Sequence, residues 1–160
     1  MPAAARGSFA LSPASTEIEQ AWVQGVEDHL KMLFSNLLAN AIIYSRQGGR
    51  VRIHCVPAES GGAVVTIADH GIGIPANKLP RIFDEYYRTD EAVRHNKQSS
   101  GLGLAIVRQV AQAHGIGIRV ESCPGVGTSF RVHLGRAERS AAIPGSHQKE
   151  KAHGLPDDRG

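Results

Sequence analysis

Two segments of the chain carry apolar residues at helical spacing. In the range 27–44 the residues that recur at intervals of three and four are Leu30, Leu33, Phe34, Leu37, Leu38 and Ala41. This pattern predicts an amphipathic helix buried along one face. We expect Gly48 and Gly49 to end it, because glycine readily takes the positive φ of a helix end. The range 102–114 predicts a second amphipathic helix.

Four other segments alternate apolar and polar residues, which is typical of strands. The strand pair 50–56 and 63–68 is joined by Gly61-Gly62, and the pair 116–121 and 128–134 is joined by Pro-Gly-Val-Gly. Each pair is therefore predicted to form a β-hairpin. The range 21–23 could add a further short strand.

The order of these elements predicts the fold class. A helix and two strands are followed by a short helical piece at 78–83, a helix and two more strands. We expect an α/β (α+β) two-layer sandwich, with a mixed, mainly antiparallel sheet of about five strands and about three helices on one face. The intervening polar segment, residues 84–100, has little periodicity. A segment of that length inside a compact domain is usually a binding loop or lid, and we call it the lid segment.

Composition restricts the classes of function. With 160 residues and 41% hydrophobic content, the chain suits one domain with a single core. We place that domain at 18–134, between a flexible arm at 1–17 rich in Ala, Ser and Pro and a polar, disordered tail at 135–160. The net charge of +3 could suit a polyanion. However, the basic residues are not clustered and no nucleic-acid-binding module is visible, so we expect no nucleic-acid partner.

The cysteines and the apolar runs bear on cellular location. Cys55 and Cys123 lack the spacing of metal ligands, and no secretory segment is present, so both thiols are expected to be reduced. No apolar run approaches the roughly 18 residues of a membrane span. A soluble, cytoplasmic domain is the expectation, although its parent could still be an inner-membrane sensor.

The first candidate for chemistry is Asp69, which follows a predicted strand and precedes Gly71 and Gly73. A carboxylate can accept hydrogen bonds from an exocyclic amine, and glycines let the backbone approach a flat ring or a phosphate closely. The same pattern also suits an ordinary turn, so alone it is a weak indication.

Asn36 and Asn40 form a second candidate on the first helix. Their spacing of four puts both amides on one face, with Tyr44 one turn further along. Amide oxygens can ligate Mg²⁺ beside phosphate oxygens, because this hard ion prefers oxygen donors. For two asparagines alone, a solvated polar face is the simpler interpretation.

The start of the second helix is a third candidate. The run 100–104, Ser-Gly-Leu-Gly-Leu, offers free backbone N–H groups and the positive end of a helix dipole, which can hold phosphate oxygens. The lid segment before it carries Arg88, Arg94, His95 and Lys97. A mobile lid that brings cations to a phosphate is a coherent interpretation, while a glycine-rich turn is the plain one.

Taken together, these segments resemble the sequence boxes of the sensor histidine kinase catalytic domain, of the GHKL superfamily with the Bergerat fold. The matching ranges are 33–45 for the N box, 69–75 for G1, 82–90 for F, 101–107 for G2, and 125–130 for the last glycine-rich turn. The similarity covers about residues 26–134. Each box is modestly specific, but all of them in order are very specific.

The resemblance implies a role for each matching residue. Asn40 would hold Mg²⁺, Asn36 would contact phosphate or metal-bound water, and Arg88 would reach the phosphates from the lid; these three are the catalytic candidates. Tyr44 would pack on the adenine and Asp69 would accept its amine. The implied nucleotide-binding residues are Asn36, Asn40, Tyr44, Asp69, Gly71, Gly73, Ile74, Arg88, Gly101, Leu102, Gly103, Leu104 and Thr128.

Two positions depart from the family pattern. Ile43 stands where the N box usually has Lys or Arg, so a phosphate-neutralising charge is missing from the helix. Arg94, His95 or Lys97 could supply it from the lid, and a low affinity for ATP is the alternative. His70 replaces the commoner Asn of G1, where the key contacts come from Asp69 and the backbone.

The resemblance further implies the ATP-binding catalytic domain of a bacterial two-component sensor kinase, with Mg²⁺ and ATP as cofactors. The implied partners are a dimerisation and phosphoacceptor domain of the same parent and a response regulator. The isolated domain would be monomeric and the parent a homodimer. No segment shows the family's acceptor histidine, and His29 has too few residues ahead of it for a helical hairpin. We therefore expect a catalytic fragment with little autokinase activity of its own.

Other functions share this nucleotide fold. Chaperone, mismatch-repair and topoisomerase ATPases of the superfamily use a Glu four residues before the metal-binding Asn as the base that activates water. Here that position is Asn36, and an amide cannot act as that base. Anti-sigma-factor serine kinases also generally have an acid there. A degenerate module for nucleotide binding or partner docking is supported only by Ile43.

Overall fold

The computed structural model describes residues 22–137. Its elements are α1 Glu27–Tyr44, β1 Val51–Pro57, β2 Ala63–Asp69, a 3-10 helix Ala76–Arg81, α2 Asp90–His95, α3 Gly103–His114, β3 Gly117–Cys123 and β4 Gly127–Leu134. The predicted arm at 1–17 lies outside the described residues. So does the predicted tail, apart from residues 135–137.

The strands form one sheet in the order β1-β2-β4-β3. Every neighbouring pair is antiparallel, so among the described residues the sheet, predicted to be mixed and mainly antiparallel, is antiparallel throughout. The two hairpins predicted from the sequence are joined through the pairing of β2 with β4. Within residues 22–137 the sheet has four strands rather than about five, because Val23 makes only an isolated antiparallel bridge to Arg136.

The core lies between this sheet and helices α1 and α3. Leu33 and Leu37 of α1 and Val107 of α3 are fully buried, as are Ile67 and Val132 of the strands. The apolar stripe predicted for α1 therefore faces the core, where each buried aliphatic side chain contributes about 1.5 to 3 kcal/mol. The two-layer α+β sandwich is confirmed, with the helices on one face of the sheet.

Strand β1 is less buried than its alternation predicts. Val51 is 4% exposed, but Ile53 is 38% exposed and Cys55 is half-buried. The reason is position: β1 is one of the two edge strands of the sheet and pairs only with β2. Cys55 and Cys123 are both free thiols.

The lid segment contains a short helix that the sequence pattern did not predict. Helix α2 is capped by Thr89, whose side chain accepts a hydrogen bond from the N–H of Ala92 at 3.1 Å. Lys78 of the 3-10 helix pairs with Glu91 at 3.0 Å, and thereby anchors α2. A helix of six residues is too short to produce a readable period.

None of the helices within residues 22–137 is long and apolar enough to span a bilayer.

Candidate functional site

A cavity of about 270 Å³ opens between α1, the loop after β2 and the lid segment. Its size is just below the range for small-molecule pockets, about 300 to 1,000 Å³. The sequence-predicted site residues that line it are Asn36, Asn40, Tyr44, Asp69, Gly73, Ile74, Arg88, Gly101, Gly103, Leu104 and Thr128. Gly71 and Leu102 do not line it.

The loop after β2 is fastened to the end of α1. Ser45 has an extended backbone conformation, which ends the helix, and it forms an antiparallel bridge with Gly71. The N–H of Ile72 donates to the carbonyl of Tyr44 at 3.1 Å. A methyl group on Gly71 would lie 2.1 Å from that Tyr44 carbonyl oxygen. Gly71 thus permits a close approach to α1, and this contact brings Asp69 and Tyr44 into one wall of the cavity.

The same loop is supported from its other side by the β3–β4 hairpin. Gly73 has a φ of 68°, and a methyl group there would lie 2.0 Å from the carbonyl oxygen of Cys123. The N–H of Ile74 donates to the Ser122 hydroxyl at 2.8 Å, and that hydroxyl lies 2.8 Å from the hydroxyl of Thr128. Ser122 was not among the residues predicted from the sequence. Its pairing with Thr128 across the predicted hairpin was the available signal.

Asp69 is half-buried at the base of the cavity. Its Oδ1 accepts the N–H of Thr128 at 3.3 Å, and the N–H of Gly71 also donates to the carboxylate. Burial raises the pKa of Asp69 above its ordinary value, and these two hydrogen bonds and nearby His70 partly oppose the shift. An ionised carboxylate has about four acceptor positions, so capacity remains for a donor from a ligand.

Asn36 and Asn40 face the beginning of α3. The Asn36 amide nitrogen donates to the carbonyl of Met32 at 2.8 Å. Its Oδ1 would lie 3.0 Å from a methyl group on Gly103, and the Asn40 Oδ1 would lie 3.9 Å away. The space left by Gly103 therefore brings the amide oxygens of Asn36 and Asn40 close to the free N–H groups at the start of α3. Amide oxygens and phosphate oxygens together form the donor set that Mg²⁺ prefers.

Arg88 lines the cavity but its guanidinium is directed at the lid backbone. It donates to the carbonyls of Lys97 and Ala92, each at 3.4 Å, and to that of Asn96. These carbonyls lie at or just beyond the end of α2, where a cation is favourable. The contact with phosphate that the family resemblance implies would require this side chain to turn.

The lid segment also touches the last turn of α1. The Nε2 of His95 donates to the carbonyl of Ile43 at 2.7 Å. The Tyr44 hydroxyl lies 3.1 Å from the hydroxyl of Ser99, a second residue that was not predicted from the sequence. Arg94 is instead 72% exposed and paired with Glu91 at 3.8 Å.

The sequence is similar to known signalling proteins. Residues 25–138 match the model of the family described as histidine kinase-, DNA gyrase B-, and HSP90-like ATPase. The phosphate regulon sensor protein PhoR of Pseudomonas aeruginosa is 37% identical over 120 residues, which cover 75% of this chain and 27% of PhoR. The sensor protein kinase WalK of Staphylococcus haemolyticus is 40% identical over 108 residues, 67% of this chain and 18% of WalK. The chain thus spans a minor part of these relatives.

Solved structures show the same likeness. The mycobacterial sensor histidine kinase MprB is 34% identical with a TM-score of 0.65, over 72% of this chain and 78% of that one. Full-length ShkA in complex with AMPPNP is 25% identical with a TM-score of 0.63, over 81% of this chain and 26% of that one.

Proposed function

We propose that this chain, which belongs to the histidine kinase-, DNA gyrase B-, and HSP90-like ATPase family, binds Mg-ATP. Because it is an ATP-binding catalytic domain of the sensor histidine kinase type, it would present the γ-phosphate to a histidine on a separate domain of its parent protein. The observation that carries the proposal is the meeting of Asp69, Tyr44, the two asparagines and the start of α3 in one cavity.

The adenine end of the site is assigned to Asp69. Its free acceptor positions would take the exocyclic amine, while the Thr128 and Gly71 N–H groups hold the carboxylate in place. Tyr44 would pack on the base from the wall formed by α1. Ile74 would pack against the base, because the hydrogen bond from its backbone N–H to the Ser122 hydroxyl holds it in place.

The phosphate end is assigned to α1 and the start of α3. Mg²⁺ would be held by the Asn40 amide oxygen, with Asn36 beside it, and it would neutralise the phosphate charge. The N–H groups at and after Gly103 would hold phosphate oxygens. Arg88 would add its charge after it exchanges its lid carbonyls for phosphate oxygens. Phosphoryl transfer needs mainly this positioning and charge stabilisation.

The site presents ATP but lacks a group to receive the phosphate or to activate water. Among the described residues no histidine lines the cavity, and Asp69 is the only acid that does. Asp69 is engaged by Thr128 and Gly71, and Asn36 is an amide. His29 is hydrogen-bonded to His114 at 2.9 Å and lies outside the cavity lining. The acceptor histidine would therefore come from a dimerisation domain of a homodimeric parent, in the cytoplasm, and a response regulator would take the phosphate onward.

A phosphotransfer assay tests the proposal. The chain is incubated with Mg²⁺ and γ-labelled ATP, alone and with the parent's acceptor domain added in trans. We expect acid-labile label on the acceptor domain only, and none when its acceptor histidine is replaced by Ala. Stoichiometric acid-labile label on the chain alone would contradict the proposal, as would an unlabelled acceptor domain in a mixture where the chain binds ATP.

A further inference from the structure

The last turn of α1 lacks two ordinary means of closing a helix. It contains no basic residue, and the residue after it, Ser45, has a buried hydroxyl without a hydrogen-bond partner among the described residues. The last four carbonyls of any α-helix have no partner from a continuing turn. Other parts of the chain must therefore supply the donors.

Three of these terminal carbonyls have identifiable donors. The carbonyl of Ala41 accepts the N–H of Ser45 at 3.2 Å, and that of Tyr44 accepts the N–H of Ile72 at 3.1 Å. The carbonyl of Ile43 accepts the Nε2 hydrogen of His95 at 2.7 Å. The first donor is the backbone of the residue that follows the helix, and the second is the backbone of the loop after β2. The third is a side chain of the lid segment, 52 positions away along the chain.

The same histidine contacts the aromatic wall of the cavity. The rings of His95 and Tyr44 have centroids 5.9 Å apart at an angle of 39°. The hydroxyl at the far end of Tyr44 lies 3.1 Å from Ser99 Oγ. Two lid residues therefore hold the Tyr44 ring, one beside the ring and one at its tip.

We propose that His95 is a positioning residue of the nucleotide site, which docks the lid segment on α1 by capping the Ile43 carbonyl and thereby fixes Tyr44. The proposal rests on the proposed function in that it takes the cavity to be the ATP site. It also identifies His95 as the lid residue that contacts Ile43, the position where the family pattern has Lys or Arg. Arg94 points away into its pair with Glu91, whereas His95 reaches the Ile43 backbone.

The chemistry of the bond determines which substitution should preserve it. A carbonyl oxygen only accepts, so Nε2 must carry a hydrogen, as it does in the imidazolium and in one of the two neutral tautomers. The side-chain amide of Gln also offers an N–H at comparable reach. His95→Gln should therefore keep the cap, and His95→Ala should lose it.

The test compares wild type, His95→Ala and His95→Gln, with His54→Ala as the matched control on the exposed part of edge strand β1. Mg-ATP affinity is measured by calorimetry, and hydrogen exchange of the amides at 90–99 is measured without nucleotide. We expect His95→Ala to speed that exchange and to weaken Mg-ATP binding about two- to tenfold, as for the loss of one hydrogen bond. His95→Gln should stay close to wild type in both measurements, as should the control.

Two results would overturn the inference. One is a His95→Ala chain with wild-type exchange and wild-type affinity. The other is a His95→Gln chain as impaired as His95→Ala, since that would mean that the donated hydrogen bond is not what matters. A wild-type chain that binds no Mg-ATP would instead overturn the proposed function, and the exchange measurement would still decide whether His95 docks the lid.

Discussion

Asp69 lines the proposed nucleotide site, but its partly buried charge lowers the stability of the fold. Its carboxylate is held at the base of the cavity by backbone donors, but burial raises its pKa above the ordinary value of 3.8. An acid with a raised pKa in the folded state binds protons more readily folded than unfolded. The ionised form therefore lowers stability, and this loss develops as pH rises from 3.8 through the raised pKa.

The substitution Asp69→Asn should consequently not destabilise the free protein at pH 7. The amide keeps an oxygen for the N–H of Thr128 and removes the buried charge, so we expect a melting temperature equal to or above that of wild type. The difference should shrink as pH falls toward 3.8, where the wild-type carboxyl also becomes neutral. Thermal unfolding across this pH range measures it, with the exposed Glu121→Gln as control. A clear loss of stability at pH 7 would contradict the assignment of burial as the main cause of the raised pKa.

Individual residues differ in how well the sequence predicts their place. Asn36, Asn40, Tyr44 and Asp69 line one cavity, because helical spacing and strand order fix their position. Gly71 was expected to let a ligand approach, whereas its missing side chain makes room for the Tyr44 carbonyl. Which neighbour requires a glycine depends on tertiary packing, and a single sequence does not contain that information.

Among the elements, the loop 69–75 joins the two layers of the fold. On one side it bridges to Ser45 at the end of α1, and on the other Gly73 lies against the end of β3. The long helices and hairpins around it were predictable from periodicity. Helix α2 and the edge position of β1 were not, because the first is too short for a period and the second depends on strand order.

Gly73→Ala in this loop and Gly115→Ala at the end of α3 together distinguish the effect of backbone strain from the effect of close packing. Gly73 and Gly115 have φ values of 68° and 62°, so Ala at either position carries the left-handed strain of about 1 to 2 kcal/mol. Nothing lies within 4 Å of a methyl group on Gly115, but one on Gly73 meets the Cys123 carbonyl at 2.0 Å. Gly73→Ala should therefore lower the free energy of unfolding more than Gly115→Ala and should also weaken Mg-ATP binding.

Urea unfolding and Mg-ATP calorimetry on both variants make this comparison. We expect Gly115→Ala to retain wild-type affinity, because it lies at the far end of α3 from the cavity. Equal loss of stability in the two variants, with affinity unchanged in both, would show that the loop does not need its close contact with β3.

For the whole molecule, the described residues form one cavity between the sheet, the two core helices and the lid segment, and we propose this cavity as the nucleotide site. The sheet positions Asp69 and Thr128, and α1 and α3 carry the residues proposed for the phosphate end. The lid segment contributes Arg88 to the lining and is held to α1 by His95. The sequence boxes indicated which segments form the cavity, since each of the five matching ranges contributes lining residues. They did not predict that Arg88 is engaged by lid carbonyls, because that depends on how the lid folds.

Calorimetric titration of Mg-ATP into the chain tests the central claim most directly. The wild type should bind one nucleotide per chain, and chelation of Mg²⁺ should weaken binding. Asp69→Asn should bind about tenfold or more weakly, because an amide nitrogen cannot accept the adenine amine. Absence of binding by the wild type, or equal affinity in Asp69→Asn, would contradict the assignment of this cavity as the ATP site.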